Sequence, residues 1–123
     1  MKTLKNFFKI MHIQQTDEGS EVLIKLNPYH ELYKGHFPGQ AVVPGVCQTY
    51  ILHHILERLT KRQLILKRAK NFKFLNIILP EKSDTLEVKI KFPTLAADII
   101  KVTASVCAEG EVCFKFRGEF ADL

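Results

Sequence analysis

No apolar run in this chain approaches the roughly 20 residues that a bilayer-spanning helix needs, so no transmembrane segment is expected. The N-terminal stretch MKTLKNFFKIMHIQQ also lacks the pattern of a secretory leader. Lys9 interrupts its short apolar stretch and no small-residue cleavage site follows. A cytoplasmic protein is expected. Cysteine is scarce: Cys47, Cys107 and Cys113 are odd in number and show no C-x-x-C spacing, which argues against a disulfide scaffold and against a zinc site. Cys107 and Cys113 flank the turn-forming stretch Ala108 to Val112, which leaves them able to approach one another, yet free thiols are the expectation in a reducing compartment. Internal repeats, linkers and low-complexity tracts are missing too. Residues 1–123 are therefore expected to fold as a single domain, long enough for one core.

What is present is an ordinary globular composition, 46% hydrophobic and 25% charged, which argues against wholesale disorder. The formal net charge is +5. Its densest part is Lys61-Arg62, Lys67-Arg68, Lys70 and Lys73. Charge alone leaves nucleic acid, an acidic protein, a phosphate-bearing ligand and a merely solvated surface all open.

Alternation marks the strands. From Asp84 to Phe92, Leu86, Val88, Ile90 and Phe92 alternate with polar neighbours, a period of two that buries one face. Ile100, Val102, Ala104 and Val106 repeat the pattern, as do Val112, Phe114 and Phe116 on towards Phe120. A Glu109-Gly110 turn joins these last two as a hairpin. Inward residues must face inward ones, which an odd loop satisfies. One such register sets Lys101 opposite Glu119 and Cys107 opposite Cys113. Another, with Gly110 as the left-handed loop residue, does not, and the choice stays open.

Upstream, Glu21 to Leu26 and Phe7 to Gln14 read as strands joined by a turn at Thr16 to Ser20. Leu64 to Leu79 reads as a strand that is bent or interrupted and is ended by Pro80. One segment reads as helix, Val46 to about Arg62. Ile51, Leu52, Ile55, Leu56 and Leu59 form its apolar stripe, with Tyr50, His53, His54, Glu57 and Arg58 on the other side. One long helix among antiparallel strands predicts an α+β arrangement in which the sheet covers the helix.

Just ahead of that helix lies GHFPGQAVVPGV, Gly35 to Val46. Pro38 and Pro44 restrict their own φ angles and push the preceding residues towards extended conformations. The loop thereby holds His36 in a defined place and delivers the amides of Gly45 and Val46 to the helix N-terminus, where the dipole favours negative charge. A base beside an oxyanion site suits abstraction of a proton next to a carbonyl.

GHFPGQAVVPGV followed by a helix resembles the signature of the 3-hydroxyacyl-[acyl-carrier-protein] dehydratases of fatty-acid synthesis. Residues 72–88 resemble the family more loosely, and the order of elements agrees over nearly the full chain. The resemblance implies a hot-dog fold, one long central helix wrapped by a curved antiparallel sheet. It implies a homodimer with its two sheets joined and its active sites at the dimer interface; assemblies beyond the dimer stay open. It also implies that His36 is the catalytic base, that the Gly45 and Val46 amides polarise a thioester carbonyl, and that Phe37 and Pro44 line the substrate. The expected reaction is dehydration of 3-hydroxyacyl thioesters, or hydration of enoyl thioesters. The substrate is carried on the phosphopantetheine of acyl carrier protein or of CoA, with no resident cofactor or metal, and neither nucleic acid nor membrane is an expected partner. The basic residues of 61–73 would suit an acidic carrier protein.

The sequence departs from the family at one position. Dehydratases of this type carry Glu or Asp fourteen residues after the histidine, and here that position holds Tyr50. A phenol can donate a proton or orient water but cannot serve as a carboxylate base. His54, one turn on, and His53 are neighbouring candidates for the missing acid, whereas Glu57 is roughly 10 Å along the axis. As adjacent helical residues His53 and His54 diverge too far to pair on a metal. Cys47 reads as a small buried thiol rather than a nucleophile. Two alternatives stand beside the dehydratase: a hot-dog acyl thioesterase, and a non-catalytic acyl-binding or partner subunit.

Overall fold

The computed structural model describes residues 4–34, 39–92 and 98–123. In chain order these form β1 (Phe8–Gln15), β2 (Gly19–Leu26), a 3-10 turn (Glu31–Lys34), α1 (Gly45–Thr60), β3 (Leu64–Phe74), β4 (Thr85–Lys91), β5 (Ile99–Ala108) and β6 (Glu111–Asp122). The strands make one antiparallel sheet in the order β1-β2-β4-β5-β6-β3, curved around the helix as in the hot-dog fold.

Alternation does what it predicts. Leu86, Val88 and Ile90 of β4 are buried between exposed neighbours, and Ile100, Val102, Ala104 and Val106 of β5 repeat the pattern. These side chains meet the helix stripe, where Ile51, Leu52, Ile55 and Leu56 are fully enclosed. Each such aliphatic side chain stabilises the fold by roughly 1.5–3 kcal/mol on leaving water. Tyr50, His53 and Glu57 are half-buried and His54 and Arg58 exposed, as the helical period requires. No helix among the described residues is long and apolar enough to cross a membrane.

Three expectations need correction. The helix begins at Gly45 and ends at Thr60, two residues short of Arg62, because Lys61 turns into the left-handed region (φ 57°, ψ 34°) while its amide still donates to the Glu57 carbonyl at 2.8 Å. The long strand stops at Phe74 instead of running to Leu79. Beyond it the Leu75 amide reaches the Cys113 carbonyl at 2.8 Å, and the Asn76 side-chain amide takes the Val112 carbonyl at 2.9 Å. The chain then bends back, so that Ile78 is buried and its carbonyl accepts the Val43 amide at 2.9 Å. Two register shifts, at Leu66/Arg68 and Ala69/Asn71, supply the bend within β3.

The third correction concerns the hairpin. Lys101 does face Glu119, but Cys107 faces Val112 and not Cys113. The turn has an even loop: Glu109 (φ 52°) and Gly110 (φ 81°) both adopt the left-handed conformation of a two-residue hairpin turn. An even loop alone would set inward residues against outward ones. A register shift between Val106 and Cys107 removes the conflict and restores Val106 opposite Phe114. All three cysteines are free.

Candidate active site

Among the described residues no side chain caps the N-terminus of α1. Pro44 occupies the cap position in an extended conformation (φ −63°, ψ 151°), contributes no side-chain cap, and no acidic residue lies in the first turn. The Pro44 carbonyl takes the amides of Cys47 and Gln48, at 3.0 and 3.3 Å. Those of Gly45 and Val46 have no partner among the described residues. Two N–H groups at the dipole end of a 16-residue helix are thus left together without a partner among the described residues. Phe74 closes over this end. A Cβ added to Gly45 would stand 2.7 Å from the tip of the Phe74 ring, so the close approach requires glycine there. Phe74 is held in turn by stacking on the buried Phe114, with centroids 4.7 Å apart and planes at 14°.

From this end a groove of about 360 Å³ runs along the helix. Val46, Tyr50, His53, His54 and Glu57 line it on the α1 side, with Leu66, Phe116 and Phe120 opposite. Tyr50 lies about 7 Å along the axis from Gly45, at 1.5 Å per residue. Its ring meets Phe8 edge-on at 6.3 Å and His54 at 5.9 Å, and its hydroxyl makes no hydrogen bond among the described residues. His36 and Phe37 lie outside the described residues.

The two helix histidines go separate ways. His53 Nε2 donates to the Leu64 carbonyl at 2.8 Å and lies 3.6 Å from Glu57, whose carboxylate accepts the Leu64 amide at 2.8 Å. Together they strap the start of β3 to the helix. His54 instead packs against Phe8, edge-on at 5.4 Å, beside Tyr50. Among the described residues no group of three or more histidines, cysteines or carboxylates is placed to hold a metal ion.

Cys47 sits on the inner side of the first helical turn, and burial pushes its thiol up to about 11. Desolvation raises the thiol away from the thiolate form, so it is not an activated nucleophile. Behind it lies a residue the sequence pattern did not single out, Tyr33 of the 3-10 turn. It is buried, its hydroxyl has no partner among the described residues, and burial first, then the nearby Cys47, hold it above the usual tyrosine range. Gln48, turned towards the apolar stripe as its helical position requires, leaves its Oε1 buried and equally without partner among the described residues. His30 is a further buried polar residue that sequence reasoning missed. It accepts the Leu32 amide on Nδ1 at 3.0 Å and donates from Nε2 to the Lys5 carbonyl at 2.9 Å, pinning the segment that leads towards His36. No periodicity marks a loop residue of this kind, so its role emerges only with its partners in place.

A helix sheathed by a curved antiparallel sheet, with an amide end uncapped among the described residues beside a part-apolar groove, defines a hot-dog protein. The chain belongs to the ApeI-like dehydratase family, whose sequence profile (ApeI dehydratase) matches residues 12–111. Among curated proteins it is similar to a 3-hydroxyacyl-[acyl-carrier-protein] dehydratase, FabZ, of Clostridium acetobutylicum. The two are 28% identical over 95 aligned residues, covering 68% of this chain and 67% of the relative. Among solved structures it resembles the dehydratase heterocomplex ApeI:P from Xenorhabdus doucetiae, with a TM-score of 0.71 and 19% identity, over 92% of this chain and 96% of that one. A putative thioesterase from Shewanella oneidensis shares the fold as well, with a TM-score of 0.61 and 13% identity, over 100% of this chain and 88% of that one.

Proposed function

We propose that the chain is a lyase that dehydrates 3-hydroxyacyl thioesters, or hydrates the enoyl products, with the acyl group carried on phosphopantetheine of acyl carrier protein or CoA. The observation that carries this reading is the pair of Gly45 and Val46 amides, without a partner among the described residues, at the end of the Tyr50-lined groove. It gains support from membership of a dehydratase family.

In this mechanism His36 removes the α-proton of the 3-hydroxyacyl thioester. Negative charge moves onto the thioester oxygen, where the two amides and the helix dipole stabilise it. As the enolate collapses, the C3–O bond breaks and the hydroxyl leaves as water, taking its proton from the Tyr50 phenol. Imidazolium His36 returns a proton to the phenolate through water, so both groups end as they began. Phe37 and Pro44 flank the acyl chain. The free edge of β3, with Phe72, Phe74, Leu75 and Ile77 more than 40% exposed along and beyond it, supports pairing with a second hot-dog chain and a site shared across that seam.

The test is turnover of 3-hydroxyacyl and enoyl thioesters, on carrier protein and on CoA, by wild type and His36→Ala, following the enoyl chromophore and free thiol. Loss of hydration and dehydration in His36→Ala, without thiol release in either protein, is expected. Equal behaviour of the two proteins in every channel would refute the enzymatic reading, and thiol release dependent on His36 would assign a thioesterase instead.

Position 50 favours a second reading. The ApeI structure from Xenorhabdus doucetiae is a heterocomplex, and a different hot-dog chain with Asp or Glu at the position of Tyr50 would restore the absent carboxylate to a joint site. Size and mass analysis of the protein co-expressed with such a chain, followed by turnover, separates this arrangement from an active homodimer.

A further inference from the structure

With tyrosine at position 50, the proton for the leaving hydroxyl comes from a phenol. Phenols are weaker acids than imidazoliums by roughly 3–4 pH units. General-acid efficiency follows acid strength, so a phenol acting alone expels hydroxide poorly. It is also left as a phenolate in a groove whose facing wall is Leu66, Phe116 and Phe120, where an unpaired charge is costly. A second group that feeds a proton into the phenol as the phenol gives up its own removes both difficulties.

Besides Tyr50, the helix wall of the groove carries His53, His54 and Glu57. Two of these are taken, His53 by the Leu64 carbonyl and Glu57 by the Leu64 amide, both at 2.8 Å. His54 is not. It is exposed, and neither of its ring nitrogens has a hydrogen bond or ion pair among the described residues. It stands one turn from Tyr50, with ring centroids 5.9 Å apart and planes inclined at 36°. Phe8 of β1 meets both rings edge-on, His54 at 5.4 Å and Tyr50 at 6.3 Å, and so holds the pair side by side. His54 also borders a second cavity, of about 310 Å³, shared with Glu57, Arg58, Lys61, Arg62 and Gln63 at the end of the helix. Its charged neighbours there are the engaged Glu57 and three cations, so no free carboxylate among the described residues competes for its proton. One imidazole therefore touches the substrate groove on one side and a polar, hydrated cavity on the other.

We propose that His54 is a positioning and relay residue that acts through Tyr50 and makes its phenol an effective acid. The assignment rests on the dehydratase reading with Tyr50 as donor. Through one bridging water, imidazolium His54 gives its proton to the Tyr50 oxygen as the phenol O–H proton passes to the departing C3 hydroxyl. Water leaves and no phenolate accumulates. Neutral His54 is recharged by the proton that imidazolium His36 returns through water, and in hydration each transfer runs backwards.

The test is a double-mutant cycle read as steady-state dehydration and hydration of 3-hydroxyacyl and enoyl thioesters by the full chain. His54→Gln keeps a hydrogen-bonding side chain but cannot carry a proton. It is expected to lower kcat about tenfold, with KM within about twofold of wild type and Tm unchanged. In a Tyr50→Phe background the same substitution should change nothing, because the relay then has no phenol to serve. Added imidazole should restore most of the rate to His54→Ala and none to Tyr50→Phe. Wild-type rates in His54→Gln overturn the relay. So does an equal loss in both backgrounds that imidazole leaves unrepaired, which would mark His54 as packing for Phe8 and Tyr50. Normal wild-type turnover beside either result keeps the dehydratase reading and removes His54 alone, whereas no turnover of any thioester by wild type sinks the reading and the relay together.

Discussion

Gly45 is the residue at which packing and chemistry meet, and Gly45→Ala tests both. The new Cβ would stand 2.7 and 2.8 Å from two atoms of the Phe74 ring and 3.4 Å from a third, where ordinary contact is no closer than about 3.4–4 Å. Either the ring or the helix end must retreat by roughly 0.6–1 Å. Phe74 is half exposed and able to move, but moving breaks its 4.7 Å stacking on Phe114. Overpacking of this kind costs about 1–3 kcal/mol. Alanine in place of glycine in a helix returns about 0.5–1 kcal/mol. The net expectation is destabilisation by about 1 kcal/mol, a fall of roughly 3–6 °C in Tm for a domain of this size. In a Phe74→Leu background the obstructing ring is gone, and Gly45→Ala should become neutral or stabilising. A double-mutant cycle by urea and thermal denaturation should therefore return a coupling of about 1–2 kcal/mol. Equal costs for Gly45→Ala in both backgrounds would show that the Phe74 contact is not what demands glycine. Turnover should fall in Gly45→Ala more than stability does, since the methyl group occupies the approach to the amide pair.

Tyr50→Phe removes a hydroxyl without a partner among the described residues, so Tm should stay within about 2 °C of wild type while dehydration slows on the order of 10²-fold. An unimpaired rate would take the proton donor away from Tyr50. Cys47 sets a pH dependence. Its thiol is raised from an ordinary value of 9.0 to about 11, so the unfolded chain loses this proton before the folded one, and stability should decline as pH climbs from about 9 towards 11. Cys47→Ala should flatten the part of that decline between about pH 9 and 10, below the range in which buried Tyr33 adds a decline of its own, and an unchanged slope there in urea titrations would take the effect away from Cys47. Glu57→Ala leaves the Leu64 amide, at the buried start of β3, without its acceptor. A loss of about 1–3 kcal/mol is expected, and hydrogen exchange should quicken at Leu64 ahead of the rest of β3. Uniform exchange along the strand would place the strap elsewhere.

Local repetition explains which parts could be read in advance. β4 and β5 bury alternate residues and α1 buries a stripe, and each pattern depends on one backbone period acting over neighbours. Pro44 and Gly45 likewise announce the start of the helix, because proline constrains its own backbone wherever it stands. Positions set by remote contacts could not be read that way. The end of β3 at Phe74 depends on Asn76 claiming a carbonyl of β6, and the Glu109-Gly110 hairpin needs its register shift because the inward faces of β5 and β6 must agree at Val106 and Phe114. Helical spacing makes His53 a candidate proton donor, yet its Nε2 is committed to the Leu64 carbonyl, a partner eleven residues away.

By itself the sequence determined the strands and the central helix, the family signature, and the absence of a carboxylate at position 50. The tertiary structure decided what those residues face. It set Phe74 on Gly45, opened the groove beside Tyr50, buried Cys47 so that desolvation raises its thiol, and placed Lys73 against Lys115. Periodicity is carried by each segment alone, whereas distance, desolvation and charge pairing arise between segments that only folding brings together.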